Sequence, residues 1–130
     1  MLNKVLVVDD SPLIREMCRN MLKGRSREIL SAGSGCEAFE MMKLHPDTEL
    51  VLLDIHMPAV SGLAVLAAFK ETEAFRHVPV ILLSQRGDES AVSRGLELGA
   101  SGAVSKYENL RELPGLVGRT VSAARPAGCC

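Results

Sequence analysis

The chain has 130 residues, of which 47% are apolar, and this is enough for one compact domain with one hydrophobic core. Its formal net charge of −1 excludes a global basic field that would hold nucleic acid or an acidic membrane surface. The apolar run before Asp9 is too short for a signal-peptide core or a membrane span, so we expect a cytoplasmic protein without a membrane anchor.

Apolar runs and helical patterns alternate along the chain. The first run, at residues 4–8, precedes a helix with Ser11 as its predicted N-cap, Pro12 as its first residue and Gly24 beyond its end. The predicted apolar stripe of this helix consists of Leu13, Ile14, Met17, Cys18, Met21 and Leu22. Further strands are predicted at residues 28–31, 50–53, 78–83 and 102–105, and further helices at 36–44, 63–72, 89–98 and 114–124.

Strands that alternate with helices indicate a parallel sheet covered on both faces. The first, third and fourth runs are continuously apolar and belong in the middle of the sheet, whereas the second and fifth are mixed and suit its edges. With right-handed crossovers, a flavodoxin-like (βα)5 doubly wound α/β fold with strand order 2-1-3-4-5 satisfies this pattern. We expect one domain at residues 1–124 and a flexible C-terminal tail at 125–130.

Polar side chains stand where the predicted strands end. The first strand leads into Asp9 and Asp10, the third ends in Asp54, the fourth in Ser84 and the fifth leads into Lys106. In an open α/β sheet, ligands bind at the carboxyl ends of the strands. We therefore expect three carboxylates, one hydroxyl and one ammonium group to converge on one rim of the sheet.

These residue types suit magnesium-dependent phosphoryl transfer. Mg²⁺ prefers hard oxygen ligands and usually keeps several waters together with a substrate phosphate. Asp9 and Asp10 can hold it directly or through water, which leaves Asp54 to act as a nucleophile. Lys106 would supply positive charge, and the Ser84 hydroxyl could donate to a phosphoryl oxygen. Each residue alone is more often a cap, a turn residue or a solvated side chain, and it is the complete set that favours function.

The sequence resembles the receiver domain of bacterial two-component response regulators, the CheY-like fold, over about residues 3 to 124. The matching motifs are VLVVDDS, LVLLDIHMPAVSGL, PVILLS and ELGASGAVSK. The combination of DDS with D-x-x-MP-x-x-x-G at this spacing is highly specific. The pattern near the last helix is also similar to receivers that stand at the N-terminus of larger proteins.

The resemblance implies a role for each residue of the predicted site. It implies a phosphorylatable signalling switch that catalyses its own Mg²⁺-dependent phosphorylation and dephosphorylation without being a conventional enzyme. The implied roles are the phospho-acceptor and a metal ligand for Asp54, Mg²⁺ ligands for Asp9, Asp10 and the main-chain carbonyl of His56, the switch hydroxyl for Ser84, and the phosphate-binding lysine for Lys106.

The resemblance also implies the partners. The phosphoryl donor in the family is a phosphohistidine on a sensor histidine kinase or a histidine phosphotransfer protein, and acetyl phosphate can substitute for it. A receiver homodimer is a further candidate assembly. Direct binding of nucleic acid and of membranes is not expected.

Four departures from the family pattern concern the surroundings of the site. Ala103 stands where an aromatic ring usually acts as a rotameric switch, Tyr107 replaces the usual proline after the lysine, and Gln85 replaces a small residue. The last helix is also delayed, because Pro114 does not fit a helix interior and is predicted to lie at the helix start. Without a ring at Ala103, we expect a weaker conformational response of the fifth strand to phosphorylation.

Three other functions compete with a signalling switch. The first is a pseudo-receiver, an interaction module that is never phosphorylated. The second is a flavodoxin-like cofactor binder, which would need a phosphate-binding loop after the first strand. Asp9 and Asp10 stand there instead and would repel a phosphate group. The third is an aspartyl-nucleophile phosphatase, which would want an aspartate at the position of His56. The His56 side chain could instead contact the phosphoryl group or its attacking water.

Overall fold

The computed structural model describes residues 1–124, and the predicted flexible tail at residues 125–130 lies outside the described residues. Five strands form one parallel sheet, in the order β2-β1-β3-β4-β5. The predicted α/β fold class and strand order are therefore confirmed. The strands are β1 Leu2–Val8, β2 Ser26–Ala32, β3 Thr48–Asp54, β4 Val80–Ser84 and β5 Gly102–Ser105.

Five α-helices connect or follow the strands and cover both faces of the sheet. Serine side chains cap three of them, and Ser11, Ser34 and Ser61 each accept a hydrogen bond from the N–H three residues later, at 3.4, 3.1 and 3.3 Å. Within residues 1–124, no helix has the length and apolar character needed to span a bilayer. The helices are α1 Pro12–Leu22, α2 Gly35–Leu44, α3 Gly62–Glu71, α4 Glu89–Glu97 and α5 Leu113–Ala124.

The sheet separates two hydrophobic clusters, because side chains of successive strand residues point to opposite faces. In β1, Leu6 and Val8 face the cluster that contains Phe69 of α3, whereas Val5 and Val7 face the cluster that contains Ile14 of α1. Both faces of the central strands are thus buried, and this is why their sequences are continuously apolar.

The structure corrects two details of the sequence prediction for the helices. Leu13 is 67% exposed and does not belong to the buried stripe of α1, whose buried residues Ile14, Cys18 and Leu22 recur every four positions. The last helix begins at Leu113, so Pro114 lies in its first turn, where its missing N–H costs no helical hydrogen bond. A short 3-10 turn, Leu110–Glu112, fills the interval before α5.

The loop between β3 and α3 contains a residue in an unfavourable backbone conformation. Ala59 is exposed and has a φ of 66°. The residues on either side of it are joined by a hydrogen bond, in which the N–H of Val60 donates to the carbonyl oxygen of Pro58 at 2.7 Å. Left-handed backbone brings the Cβ of an L-residue too close to the following carbonyl oxygen. This tight turn therefore keeps the loop compact at a local cost in stability.

Replacing Ala59 with glycine should raise the free energy of unfolding by about 1 kcal/mol, because glycine adopts positive φ without the Cβ contact. The same substitution in the interior of α3, Ala67→Gly, is the matched control and should lower it by about 1 kcal/mol. Urea denaturation measures both changes. If Ala59→Gly destabilises the protein as much as Ala67→Gly does, the left-handed conformation of Ala59 is wrong.

Candidate functional site

The parallel register brings the predicted site residues to one rim of the sheet. Val8 of β1 pairs with Leu53 of β3, so Asp9 and Asp54 are the next residues along two neighbouring strands. Ser84 ends β4, and Lys106 directly follows β5. The structure thus brings together the carboxylates and the ammonium group that the sequence placed at separate strand ends.

Lys106 is held between two buried carboxylates. Its Nζ atom lies 2.7 Å from Asp9 Oδ2 and 2.8 Å from Asp54 Oδ1, and all three side chains are almost completely buried. Breaking such a buried pair by removing one partner leaves an uncompensated charge and costs several kcal/mol. One ammonium group shared by two carboxylates therefore holds the ends of β1, β3 and β5 together.

The carboxylates outnumber the cation at this rim. Asp9, Asp10 and Asp54 each offer an oxygen atom within 4.8 Å of the others, and Asp10 is exposed to solvent. Asp54 Oδ2 is buried and has no hydrogen-bond partner among the residues that the structure describes. Buried polar atoms normally have a hydrogen-bond partner, so this oxygen is a candidate ligand for a bound ion. Hard oxygen donors with surplus negative charge fit Mg²⁺, which would supply the missing positive charge.

The pKa values reflect this shared arrangement. Burial, against the opposing hydrogen bond from Lys106 and together with the charge of Asp9, raises the pKa of Asp54 to about 6. Burial alone would lower the pKa of Lys106, but its hydrogen bonds to Asp54 and Asp9 outweigh this and raise the pKa. The lysine has two anionic partners and therefore remains charged, whereas Asp54 shares this one cation with Asp9, so the lysine does not fully offset the effect of burial on the pKa of Asp54.

The main chain orients the carboxylates. Asp9 Oδ1 accepts from the N–H of Ser11 at 2.9 Å, and Asp54 Oδ1 accepts from the N–H of His56 at 3.1 Å. Arg15 of α1 donates to the carbonyl oxygen of Asp9 at 2.6 Å, a contact that the sequence did not suggest. These bonds fix Oδ1 of each buried aspartate, while Asp9 Oδ2 contacts Lys106 and Asp54 Oδ2 has no hydrogen-bond partner among the described residues.

A glycine makes the loop after β3 fit against the site. The N–H of Gly62 donates to the carbonyl oxygen of Ile55 at 2.8 Å, and a Cβ atom at Gly62 would overlap the carbonyl oxygen of Asp54. The glycine at the end of the MPAVSG motif therefore permits a close backbone approach that any side chain would prevent.

Ser84 lies at the rim, but its hydroxyl group is directed to β5. It donates to the carbonyl oxygen of Val104 at 3.3 Å, while the carbonyl oxygen of Ser84 accepts from the N–H of Lys106 at 2.9 Å. The side chain would have to rotate to reach a group on Asp54. Ser84 is thus close to the carboxylates in the sheet without contacting them in this structure.

The His56 side chain reaches across the rim to the start of α4. Its Nε2 atom lies 2.6 Å from Asp88 Oδ1, and Asp88 Oδ2 accepts from the N–H of Gln85 at 2.7 Å. Burial alone would raise the pKa of Asp88, but the hydrogen bonds from His56 and Gln85 lower it below the usual range. Sequence reasoning missed Asp88; an aspartate directly before a helical pattern is an N-cap signal that could have drawn attention to it.

No aromatic ring packs where the departures from the motif pattern occur, as far as residues 1–124 show. Ala103 is half-buried against the cluster beneath α4, and Tyr107 is 70% exposed. The only other aromatic residues of the chain are Phe39, Phe69 and Phe75, which pack on one another with centroid distances of 4.7 to 5.9 Å. The rotation of a core aromatic side chain is therefore not available to β5.

Comparison with known families and proteins gives a consistent result. The family model described as "Response regulator receiver domain" matches residues 5–117. The chain is 34% identical over 110 residues to the polar-differentiation response regulator DivK of Brucella ovis, which covers 82% of this chain and 85% of DivK. It is 37% identical over 112 residues to the transcriptional regulatory protein CpxR homolog of Haemophilus influenzae, and this match covers 86% of the chain but only 47% of that protein.

Solved structures have the same arrangement of strands and helices. The chemotaxis protein CheY4 of Vibrio cholerae superimposes with a TM-score of 0.82 at 26% identity, covering 92% of this chain and 99% of that one. The receiver domain of NtrX from Brucella abortus superimposes with a TM-score of 0.83 at 25% identity, covering 91% and 98%.

The raised pKa of Asp54 predicts a pH dependence of stability in the presence of a chelator. Because its folded-state pKa of about 6 lies above the ordinary 3.8, the native state binds more protons than the unfolded state between these values. The free energy of unfolding should therefore fall, on the order of 2 kcal/mol, as the pH rises from 4 to 6.5.

The asparagine side chain of Asp54→Asn does not titrate, so the free energy of unfolding of this variant should lack the fall that Asp54 causes. The difference in free energy of unfolding between variant and wild type should therefore grow from pH 4 to 6.5. Urea denaturation at a series of pH values measures it. A constant difference between the two proteins from pH 4 to 6.5 would show that Asp54 has an ordinary pKa.

Proposed function

Because this chain belongs to the response regulator receiver family of two-component systems, we propose that it is a phosphorylatable signalling switch that accepts a phosphoryl group on Asp54. The observation that supports this best is the position of Asp54, buried beside Asp9 and Lys106 with one carboxylate oxygen free of hydrogen bonds among the described residues. Receivers interact with histidine kinases or histidine phosphotransfer proteins, and we propose such a donor here.

The geometry of Asp54 suits a nucleophile. Its Oδ1 is held by Lys106 and by the N–H of His56, so Oδ2 is the atom available for attack on phosphorus. With a pKa of about 6, the carboxyl group is mostly ionised at neutral pH, as the attack requires. A new Oδ2–P bond forms while the P–N bond of the phosphohistidine breaks. The electron pair of the P–N bond stays on the imidazole nitrogen, which takes up a proton from solvent.

Lys106 and Ser84 would stabilise the transferred group. The ammonium group of Lys106 already contacts Asp54, so only a small displacement would direct it at a phosphoryl oxygen. The Ser84 hydroxyl would give up its hydrogen bond to the carbonyl oxygen of Val104 and donate to a phosphoryl oxygen instead. Mg²⁺, which we propose is held by Asp9, Asp10, Asp54 and the main-chain carbonyl of His56, would supply positive charge for the phosphoryl oxygens when bound.

On this proposal, the protein catalyses its own phosphorylation and dephosphorylation without turning over a separate substrate as a conventional enzyme does. We place it in the cytoplasm, where the family's kinases present their phosphohistidine. The chain spans about half the length of the CpxR homolog but most of the length of DivK. We therefore propose the activity of the receiver alone, with a receiver homodimer as a candidate assembly.

A pseudo-receiver is the second candidate function, and the altered surroundings at Gln85, Ala103 and Tyr107 favour it. These residues stand where the response of the protein would be transmitted, whereas the residues proposed for phosphoryl transfer are all present. Phosphoryl uptake therefore distinguishes the two candidates.

With Mg²⁺ and acetyl phosphate, the protein should gain the mass of one phosphoryl group, because Asp54 is positioned as the nucleophile. Intact-protein mass spectrometry measures the gain. Asp54→Asn should abolish it while circular dichroism shows an unchanged fold, and a chelator should abolish it in the wild type. A folded wild type that takes up no phosphoryl group from acetyl phosphate or from phosphohistidine donors would favour the pseudo-receiver.

Mg²⁺ should stabilise the fold, because it binds the carboxylate cluster of the native state. At about 100 times its Kd it should raise the free energy of unfolding by about 2.7 kcal/mol. Asp10→Asn should raise metal-free stability, since it removes charge repulsion, and should shrink the Mg²⁺-induced shift in Tm.

Glu40→Gln removes an exposed carboxylate of α2 that lies outside the cluster and is the matched control. It should show the full Mg²⁺-induced shift in thermal melts. Equal shifts in Asp10→Asn and Glu40→Gln would mean that Asp10 is not a metal ligand.

A further inference from the structure

His56 contacts the candidate site and α4 at the same time. Its main-chain N–H donates to Asp54 Oδ1 at 3.1 Å, while its side-chain Nε2 lies 2.6 Å from Asp88 Oδ1. The residue therefore connects the proposed phospho-acceptor with a carboxylate that is 32 positions further along the chain. With 56% of its side chain exposed, the imidazole has room to move, whereas Asp88 is only 10% exposed.

Asp88 is the residue that directly precedes α4. Its carbonyl oxygen accepts from the N–H of Val92 at 2.8 Å in the first turn of the helix, and its N–H donates to the carbonyl oxygen of Gln85 at 3.2 Å. Its side-chain Oδ2 returns to the N–H of Gln85 at 2.7 Å. The pair His56–Asp88 thus fixes the connection between β4 and α4 to the loop that follows Asp54.

A phosphoryl group on Asp54 would act on the two members of this pair in opposite ways. It adds about 1.5 to 2 negative charges and three strong acceptor oxygens. These oxygens attract the N–H of His56, whose own backbone already contacts Asp54, and the added charge repels the carboxylate of Asp88. A single N–H at Nε2 cannot donate fully to both acceptors.

We propose that His56 is a further phosphoryl-binding residue, which donates from Nε2 to Asp88 in the resting protein and to the phosphoryl group after phosphorylation. The inference rests on the proposed phosphorylation of Asp54. The exchange releases Oδ1 of Asp88, whereas its Oδ2 keeps the N–H of Gln85, and it removes the contact that connects the start of α4 with the loop after Asp54. It gives the two states different contacts, which is what a ligand needs in order to shift a conformational equilibrium.

The exchange offers a route to α4 that needs no aromatic ring on β5. Ala103 has no side-chain rotamer to change, and the exposed Tyr107 is not packed in the core. The sequence pattern therefore lacks the usual responding element but has a histidine two residues after Asp54, with an acidic partner at the start of α4. The first turn of α4 should respond more strongly than β5.

The direct test follows the imidazole nitrogens in the full chain. Long-range ¹H–¹⁵N spectra of its three histidines are recorded with Mg²⁺, before and after addition of beryllofluoride as a phosphoryl mimic. The Nε2 signal of His56 should shift, while those of His45 and His77 stay in place. If the amides beside Asp54 show that the mimic is bound and the Nε2 signal of His56 does not change, the exchange is overturned.

A substitution tests the route to α4. In His56→Ala, the amides of Gln85 and Asp88 to Val92 should already lie displaced toward their positions in the beryllofluoride-bound wild type. Beryllofluoride should then shift these amides by less than about half as much as in the wild type, since the His56 side chain that exchanges Asp88 for the phosphoryl group is missing. His77→Ala, which changes an exposed histidine elsewhere, should respond as the wild type does.

The outcomes distinguish this inference from the function on which it rests. If beryllofluoride with Mg²⁺ shifts no amide near Asp54 even in the wild type, the proposed phosphorylation fails and the inference fails with it. If the amides near Asp54 shift in both proteins and α4 responds fully in His56→Ala, phosphorylation stands and the role of His56 is overturned. His56→Gln gives the same comparison if His56→Ala does not fold.

Discussion

The buried ion pairs of Lys106 with Asp9 and Asp54 are the constraint on which the rest of the site depends. Two carboxylates at the ends of neighbouring strands repel each other, and burial strengthens the repulsion. The ammonium group from the edge strand β5 offsets it, at 2.7 and 2.8 Å. Because its charge is shared, neither carboxylate is fully neutralised. The same contacts that hold three strands together therefore leave the site with an affinity for further positive charge.

This compromise explains why stability and function oppose each other at the rim. Conversion of Asp54 to a neutral side chain would relieve repulsion, but it would remove the proposed nucleophile. The buried oxygen without a partner among the described residues has a similar meaning, because a structure selected only for stability would satisfy it. Sites of function are where proteins retain such unfavourable groups, and the hydrophobic clusters on both faces of the sheet supply the stability that tolerates them.

The sequence predicted the sheet well because its signals are local. Continuous apolar runs marked β1, β3 and β4 as central, and Ser11 as an N-cap marked the start of α1. The positions of Asp9, Asp10, Asp54, Ser84 and Lys106 followed from strand ends alone. The exposure of Leu13 was not predictable in this way, because a stripe of apolar residues does not show which of its edges the sheet covers. Contacts such as His56–Asp88 and Arg15–Asp9 depend on how two loops approach in space, and sequence spacing carries no such information.

The packing of α4 determines how far a change at the rim can travel. Gly95 lies against β4 so closely that a Cβ atom there would overlap the side chain of Leu82 and press on Leu63 of α3. Close packing transmits displacement, because interiors at this density have no free volume to absorb it. A displacement at Asp88, in the turn that begins α4, would therefore be transmitted to β4 and α3 through the close contacts at Gly95. The small residue Gly95 thus allows this helix to lie close to the sheet, so a displacement at the start of α4 can reach β4 even though β5 carries no ring.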